Sequence, residues 1–189
     1  MPTPSELPSG VANLTAGEEL AAGRHGFRDF GEPLLTFEGG DGQWKAVQLF
    51  NGFFDIERGE PDDPHVIAVQ FARPTGVHGP DGAVLPEDAA NAVALLESNP
   101  GLEVVETSSS RIGGLEGSQI TIENTGEGLA EFIGVPRGTL AINGGRRLWM
   151  AFFDTDDGLL AIMVGGSIEK WDDAIAAAEP VLESIEIGR

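Results

Sequence analysis

The hydrophobic pattern is densest at residues 148–153 and 159–164, two neighbouring segments that no polar side chain interrupts. Strand side chains alternate between faces. Leu148, Met150 and Phe152 therefore face one way, and Trp149, Ala151 and Phe153 the other. The second segment sets Leu160, Ile162 and Val164 against Leu159, Ala161 and Met163. An acidic turn ending in Gly158 joins the two as a hairpin. Antiparallel sheets commonly leave one face to water, so a pair apolar on both faces needs a further layer, a partner or a ligand pocket.

Around this pair the pattern predicts more strands. Residues 34–37 and 44–50 form a first pair, and 52–58 another strand. In 65–73, Ile67, Val69 and Phe71 share a face. Residues 102–112 and 116–123 form a hairpin about the turn at Gly113 and Gly114. Residues 124–145 are glycine-rich and weakly patterned, and are expected as a long loop with a short strand over 139–142. One helix starts at Pro86, Glu87 and Asp88 and buries Ala89, Ala92, Val93 and Leu96 until Asn99-Pro100-Gly101 ends it. A second is capped by Ser167 and carries Ile168, Trp171, Ile175, Ala178, Leu182 and Ile185 at helical spacing. Pro180 is expected to kink or briefly break it, and residues 185–187 to end as a short edge strand. These elements make an α+β fold: an antiparallel β-sheet with two main helices.

A chain of 189 residues buries a full core without staples. The first 19 residues, rich in Pro, Ser and Gly at their start, are expected as a flexible tether, with 20–189 as a single domain. No run approaches a membrane span, and no basic start or apolar signal core is present. The chain is then either cytoplasmic or a mature domain whose export signal has been removed, and the tether fits the second. The net charge of −20 argues against nucleic acid. With no cysteine there is no disulfide, thiolate metal site or thiol nucleophile.

Several stretches carry a family resemblance: Leu20-Ala21-Ala22-Gly23, Phe30 with residues 33–37, Gly42-Gln43-Trp44 and Gly52-Phe53-Phe54. Further on come residues 96–102, 112–117 and 178–185. In these the chain resembles extracytoplasmic, often lipid-anchored actinobacterial domains with a PsbP-like α/β sandwich, over residues 20–187. The resemblance implies a cell-envelope binding or scaffolding module, related to lipoproteins that bind lipidic ligands. It assigns no active residue. The chain has no lipobox cysteine, so anchoring and export are inferred.

Chemistry-bearing motifs are sparse. His25, His65 and His78 match no metal spacing, and Asp62 and Asp63 beside His65 are expected as a solvated turn. The Asp154–Gly158 turn has its glycine one position early for a calcium loop and lacks the closing glutamate. Gly113-Gly114-Leu115-Glu116-Gly117 is neither a dinucleotide loop nor a P-loop. No catalytic residue, metal site or cofactor is expected. The expected ligand face is aromatic: Trp44, Phe53, Phe54, Trp149 and Phe153. The expectation is a non-catalytic envelope domain whose partner is a lipid, an amphiphile or another protein. The alternative is a small enzyme, marked by a cleft that holds His25 or His65 beside a part-buried carboxylate of raised pKa. A third possibility is a subunit whose second apolar face packs on another chain.

Overall fold

The computed structural model describes residues 6–40, 43–60 and 63–188. In chain order the first strands are β1 (Ala12–Asn13), β2 (Arg24–Gly26), β3 (Leu35–Glu38), β4 (Trp44–Phe50), β5 (Phe53–Arg58) and β6 (Ile67–Ala72). Next come β7 (Gly76–Gly79), β8 (Gly82–Val84), α1 (Ala89–Glu97), β9 (Glu103–Ile112) and β10 (Leu115–Asn124). The chain continues through β11 (Leu129–Val135), β12 (Gly138–Asn143), β13 (Arg146–Thr155) and β14 (Gly158–Ser167), and closes with α2 (Trp171–Glu183) and β15 (Glu186–Ile187).

The centre is a seven-stranded antiparallel sheet ordered β4-β5-β6-β14-β13-β10-β9. β13 and β14 pair along their full lengths, from Arg146 opposite Ser167 to Thr155 opposite Gly158. Their two apolar faces enter two different cores. Ala151, Phe153, Leu160, Ile162 and Val164 pack with Phe37, Phe54 and Phe71 under α2 and the small sheet β1-β2-β3-β15. Leu148, Met150, Phe152, Ala161 and Met163 pack under α1 and the outer sheet β12-β11-β7-β8. Each of the larger of these side chains is worth about 1.5–3 kcal/mol when fully buried, so neither layer is dispensable. The α+β class read from the sequence is the class observed.

The covering of the second face is where the structure departs from the sequence reading. Residues 124–145 are not a loop with one strand: they contain the hairpin β11–β12, which buries Ala130, Phe132, Ile133, Val135 and Ile142. A register shift between Glu131 and Ile133 places Phe132 and Ile133, adjacent in sequence, both in the core. That bulge breaks the period of two on which strand recognition depends.

The start of the chain also differs. β1 pairs with β2, and Leu14 and Leu20 are 4% and 3% exposed within the first core. The tether expected over residues 1–19 therefore does not describe Ala12 to Glu19, because burial of two leucines holds this stretch to the sheet. Residues 1–5 lie outside the described residues.

Helix starts are the third difference. Pro86 and Glu87 precede α1, whose N-cap is Asp88, accepting from the Asn91 N–H at 2.7 Å. Asp154 accepts from the Ala89 N–H at 3.0 Å, so the last residues of β13 tie down the first turn of α1. Ser167 makes no cap bond; a 3-10 turn over Ile168–Lys170 leads into α2 instead. α2 continues unbroken through Pro180, and β15 forms the expected edge strand beside β3.

Candidate functional site

The period of two places Phe53, Asp55 and Glu57 of β5 on one face of the central sheet. Phe53 joins the second core, whereas the next two positions are carboxylates. Glu57 lies on the floor of a cleft of about 800 Å³ that opens between the central sheet and the β11–β12 hairpin. Gln70 of β6 and Leu148 of β13 share this floor, and Phe132 and Ile142 contribute an apolar wall. His65, Arg146 and Ser167 close one end.

Arg146 shapes that end. Its guanidinium donates to the carbonyl oxygens of Pro64 and Val66, each at 2.8 Å, and so holds the chain around His65. The His65 N–H donates to Asp63 Oδ1 at 2.8 Å. His65 Nδ1 lies 2.8 Å from Ser167 Oγ. Neighbouring Arg147 forms an ion pair with Glu123 and lies over the Trp171 ring, 5.5 Å from its centroid.

Burial governs the acid–base state of this region. It raises the Glu57 carboxyl above its ordinary value, opposed by the charge of Arg146. It lowers Arg146, with Glu57 opposing. Asp55 lies behind them, 1% exposed, and burial pushes its pKa up to about 6. The Gln48 N–H, 2.6 Å from Asp55 Oδ1, and a hydrogen bond from the Gln70 side chain pull it back, while Glu57 pushes further up. Desolvation disfavours the charged carboxylate, and donated hydrogen bonds favour it. Through Gln70, Asp55 fixes an amide on the cleft floor. The cleft thus offers donors, acceptors and an apolar wall within the size of small-molecule sites.

The five aromatic residues expected as a ligand face are placed differently. Trp44 is 2% exposed; Phe53, Phe54 and Phe153 are fully buried. Phe54 stacks on Phe71 with centroids 4.3 Å apart in the first core, while Phe53 stacks on Phe50 at 4.9 Å at the second. Trp149 is half-buried against the first core. Four of the five are interior packing on opposite sides of one sheet, so together they form no accessible face. None lines the cleft.

The histidines separate as well. His25 is buried, with Nε2 2.8 Å from the Ala21 carbonyl, and His78 lies 3.6 Å from Glu131. Of the three, His65 alone shares a cleft with a carboxylate of raised pKa. The sequence reading passed over Glu57, Gln70, Arg146 and Ser167. The available signal was two acids in the same-face row Phe53, Asp55, Glu57, where β5 otherwise continues apolar.

No family model matches the sequence, and no curated protein matches it. Among solved structures, the chain resembles LpqN of Mycobacterium tuberculosis, a protein involved in cell envelope biogenesis. The TM-score is 0.50 at 12% identity, over 88% of this chain and 91% of that one. The likeness shows the fold. Cyanobacterial PsbP (CyanoP) from Synechocystis sp. PCC 6803 aligns with a TM-score of 0.45 at 12% identity, over 93% of this chain and 98% of that one. Among the described residues, no helix is long and apolar enough to cross a membrane.

Proposed function

We propose that the chain is a non-catalytic, extracytoplasmic binding domain of the cell envelope, and that it seats an amphiphilic molecule in the cleft between its sheets. One observation carries the reading. The cleft sets an apolar surface, the wall of Phe132 and Ile142 with Leu148 of the floor, beside polar groups of the floor and end, Glu57, Gln70, His65 and Ser167. A molecule with one apolar and one polar part satisfies both surfaces; a purely apolar one strands Glu57 without water. The fold shared with LpqN, a protein of envelope biogenesis, supports the compartment. Residues 20–189 act in this reading as one domain, with the packed stretch before them as part of it.

Amide NMR titration with a dodecyl-chain amphiphile below its micelle concentration tests the seat. Shift changes are expected at residues 63–70, 141–148 and 165–169. The reading is overturned by changes that centre on Trp44 and Trp149, or by none. Protease accessibility on intact cells tests the compartment, with the protein expected to be cleaved from outside.

The enzyme reading is favoured by one specific feature, the 2.8 Å contact of His65 Nδ1 with Ser167 Oγ in a cleft that also holds Glu57. In it His65 takes the Ser167 proton as the oxygen adds to an ester carbonyl carbon and the carbonyl π pair moves onto its oxygen. That pair returns as the alcohol leaves with the proton from His65, and water then frees the acyl group from Ser167. A fluorophosphonate probe then adds one equivalent of phosphonyl label at Ser167 with loss of fluoride, abolished by His65→Ala; an unlabelled Ser167 removes this reading.

A further inference from the structure

The central sheet has two edges, and the chain treats them differently. Along β4 the edge is closed by the chain's own early residues. The Gly17 N–H donates to the Ala46 carbonyl at 2.7 Å, the Ala46 N–H to the Glu18 carbonyl at 3.1 Å, and the Leu20 N–H to the Trp44 carbonyl at 2.8 Å. Trp44–Phe50 is also bulged, with a register shift between Ala46 and Leu49. These are recognised ways of blocking strand addition.

β9, at the opposite edge, has none of that cover. Among the described residues it pairs with β10 alone. It runs for ten residues, Glu103 to Ile112, and every one is exposed or half-exposed. In an antiparallel edge strand alternate residues turn their N–H and C=O groups outward, where only water receives them. Its sequence, Glu103-Val104-Val105-Glu106-Thr107-Ser108-Ser109-Ser110-Arg111-Ile112, contains no proline and no lysine. The single irregularity is at Val105, because Thr121 opposes Glu106 and Ile122 opposes Val104. From Glu106 to Ile112 the register is unbroken, a seven-residue template.

The surroundings of this template fit side chains from an added strand. A groove of about 300 Å³ lies between Ala90 and Val93 of α1 and Thr107 and Ser109 of β9. A neighbouring strand sits about 4.8 Å away, so its alternate side chains on that face reach this groove. The short side chains of Thr107, Ser108, Ser109 and Ser110 leave room beside them.

Charge selects the occupant. The chain carries −20, and Glu103, Glu106 and, on β10, Glu116 flank the edge, against Arg111. A second copy would bring the same charge to the same edge, which like-charge repulsion opposes. A basic extended segment is instead steered in and held by complementary charge. We propose that Glu106 to Ile112 is a strand-addition site for a basic, extended segment of a partner protein, with its apolar side chains over the α1 groove and its lysines or arginines beside Glu103 and Glu106. This proposal is independent of the cleft.

The test uses the full chain with a nine-residue peptide alternating Lys with Val and Thr, and the same peptide with Glu in place of Lys. Amide hydrogen exchange is read by NMR with and without each. At saturating Lys peptide, alternate amides of residues 106–112 are expected to slow at least tenfold, and the apparent Kd to weaken steeply between 50 and 300 mM sodium chloride. Thr107→Lys/Ser109→Lys, at exposed positions that leave both cores untouched, is expected to lose this protection while keeping the far-UV spectrum. The proposal is overturned if β9 amides are unaffected, if the Glu peptide protects them equally, or if protection appears without peptide and grows with protein concentration. The last outcome assigns the edge to a second copy.

Discussion

Asp55 is a carboxylate with 1% of its surface exposed, and burial raises its pKa from 3.8 to about 6. The sign of the effect on stability follows from proton binding. Between those two values the folded state holds a proton that the unfolded chain has released, so stability falls as pH rises through this window. Above the folded value the loss is complete. The difference of about two units corresponds to about 3 kcal/mol, against a total stability of roughly 5–15 kcal/mol for a domain of ordinary stability. Asp55→Asn removes the titration and keeps an oxygen for the Gln48 N–H, now 2.6 Å from Oδ1. The amide it adds can donate to the side-chain oxygen of Gln70 once that group turns over.

Asp55→Asn is therefore expected to match the parent at pH 4 and to exceed it by up to about 3 kcal/mol at pH 8, a rise of roughly 6–12 °C in Tm for a chain of this size. The assay is urea unfolding of both proteins at half-unit steps from pH 4 to 8. Taking the difference between them cancels the carboxylates that do not interact with Asp55. Glu57, whose charge raises Asp55, stays coupled to it, and its relief on substitution adds in the same direction. A difference independent of pH refutes the reasoning, because it means that Asp55 is ionised at no cost in the fold. A variant less stable at pH 8 than at pH 4, relative to the parent, reverses the sign and refutes it more strongly.

Leu14→Ala is expected to cost about 2–3 kcal/mol in urea unfolding, since a buried leucine loses both transfer energy and cavity; a neutral change would return residues 12–19 to the status of a tether. Gly117→Ala is expected to leave little folded protein at 37 °C by circular dichroism, because the added methyl runs into the Phe152 carbonyl of the paired strand and meets the Phe153 ring at 2.7 Å. A mild effect would mean that β10 and β13 can separate locally. Tm should rise with sodium chloride from low to moderate concentration as the −20 charge is screened, with most of the gain reached at a Debye length of ~8 Å; a flat or falling Tm would show that the acids are well dispersed.

What the sequence makes legible follows from which interactions are local. β13 and β14 announce themselves because each alternates two apolar faces over an uninterrupted run, and the structure sends those faces to two cores as the alternation implies. The cover for the second face is harder to read. Phe132 and Ile133 of β11 are both buried across a bulge, and Gly134 and Gly138 dilute what alternation remains. Leu14 and Leu20 are single leucines in a polar stretch, and only the distant strands they meet explain them. The aromatic residues exposed a different limit. Trp44, Phe54 and Phe153 have the pattern of strand residues, and pattern alone does not distinguish a ligand face from a core. The cleft residues come from β5, β6, β13 and the end of β14, so no spacing in the sequence joins Glu57 to Gln70, Arg146 and Ser167.

The row Asp55, Glu57 and Gln70 is also the costliest stretch of the sheet to keep polar. Phe53 and Ala72, on the same face, already belong to the second core, and apolar residues in the row would extend it. Burial acts against charge on Asp55 and Glu57, and Arg146 offsets it for Glu57 alone. A carboxylate that destabilises the fold and, among the described residues, has no ion pair of its own has one partner there that reaches the cleft, the Gln70 side chain. The proposed seat gives that arrangement a use: Asp55 holds the amide of Gln70 for the polar part of a ligand. Asp55→Asn then separates the two roles. If the stabler variant also loses the shift changes at residues 63–70 on titration with amphiphile, the cost of the buried carboxylate is tied to binding. If stability rises and the titration is unchanged, Asp55 contributes nothing to the seat, and Glu57 with His65 and Ser167 defines its polar side.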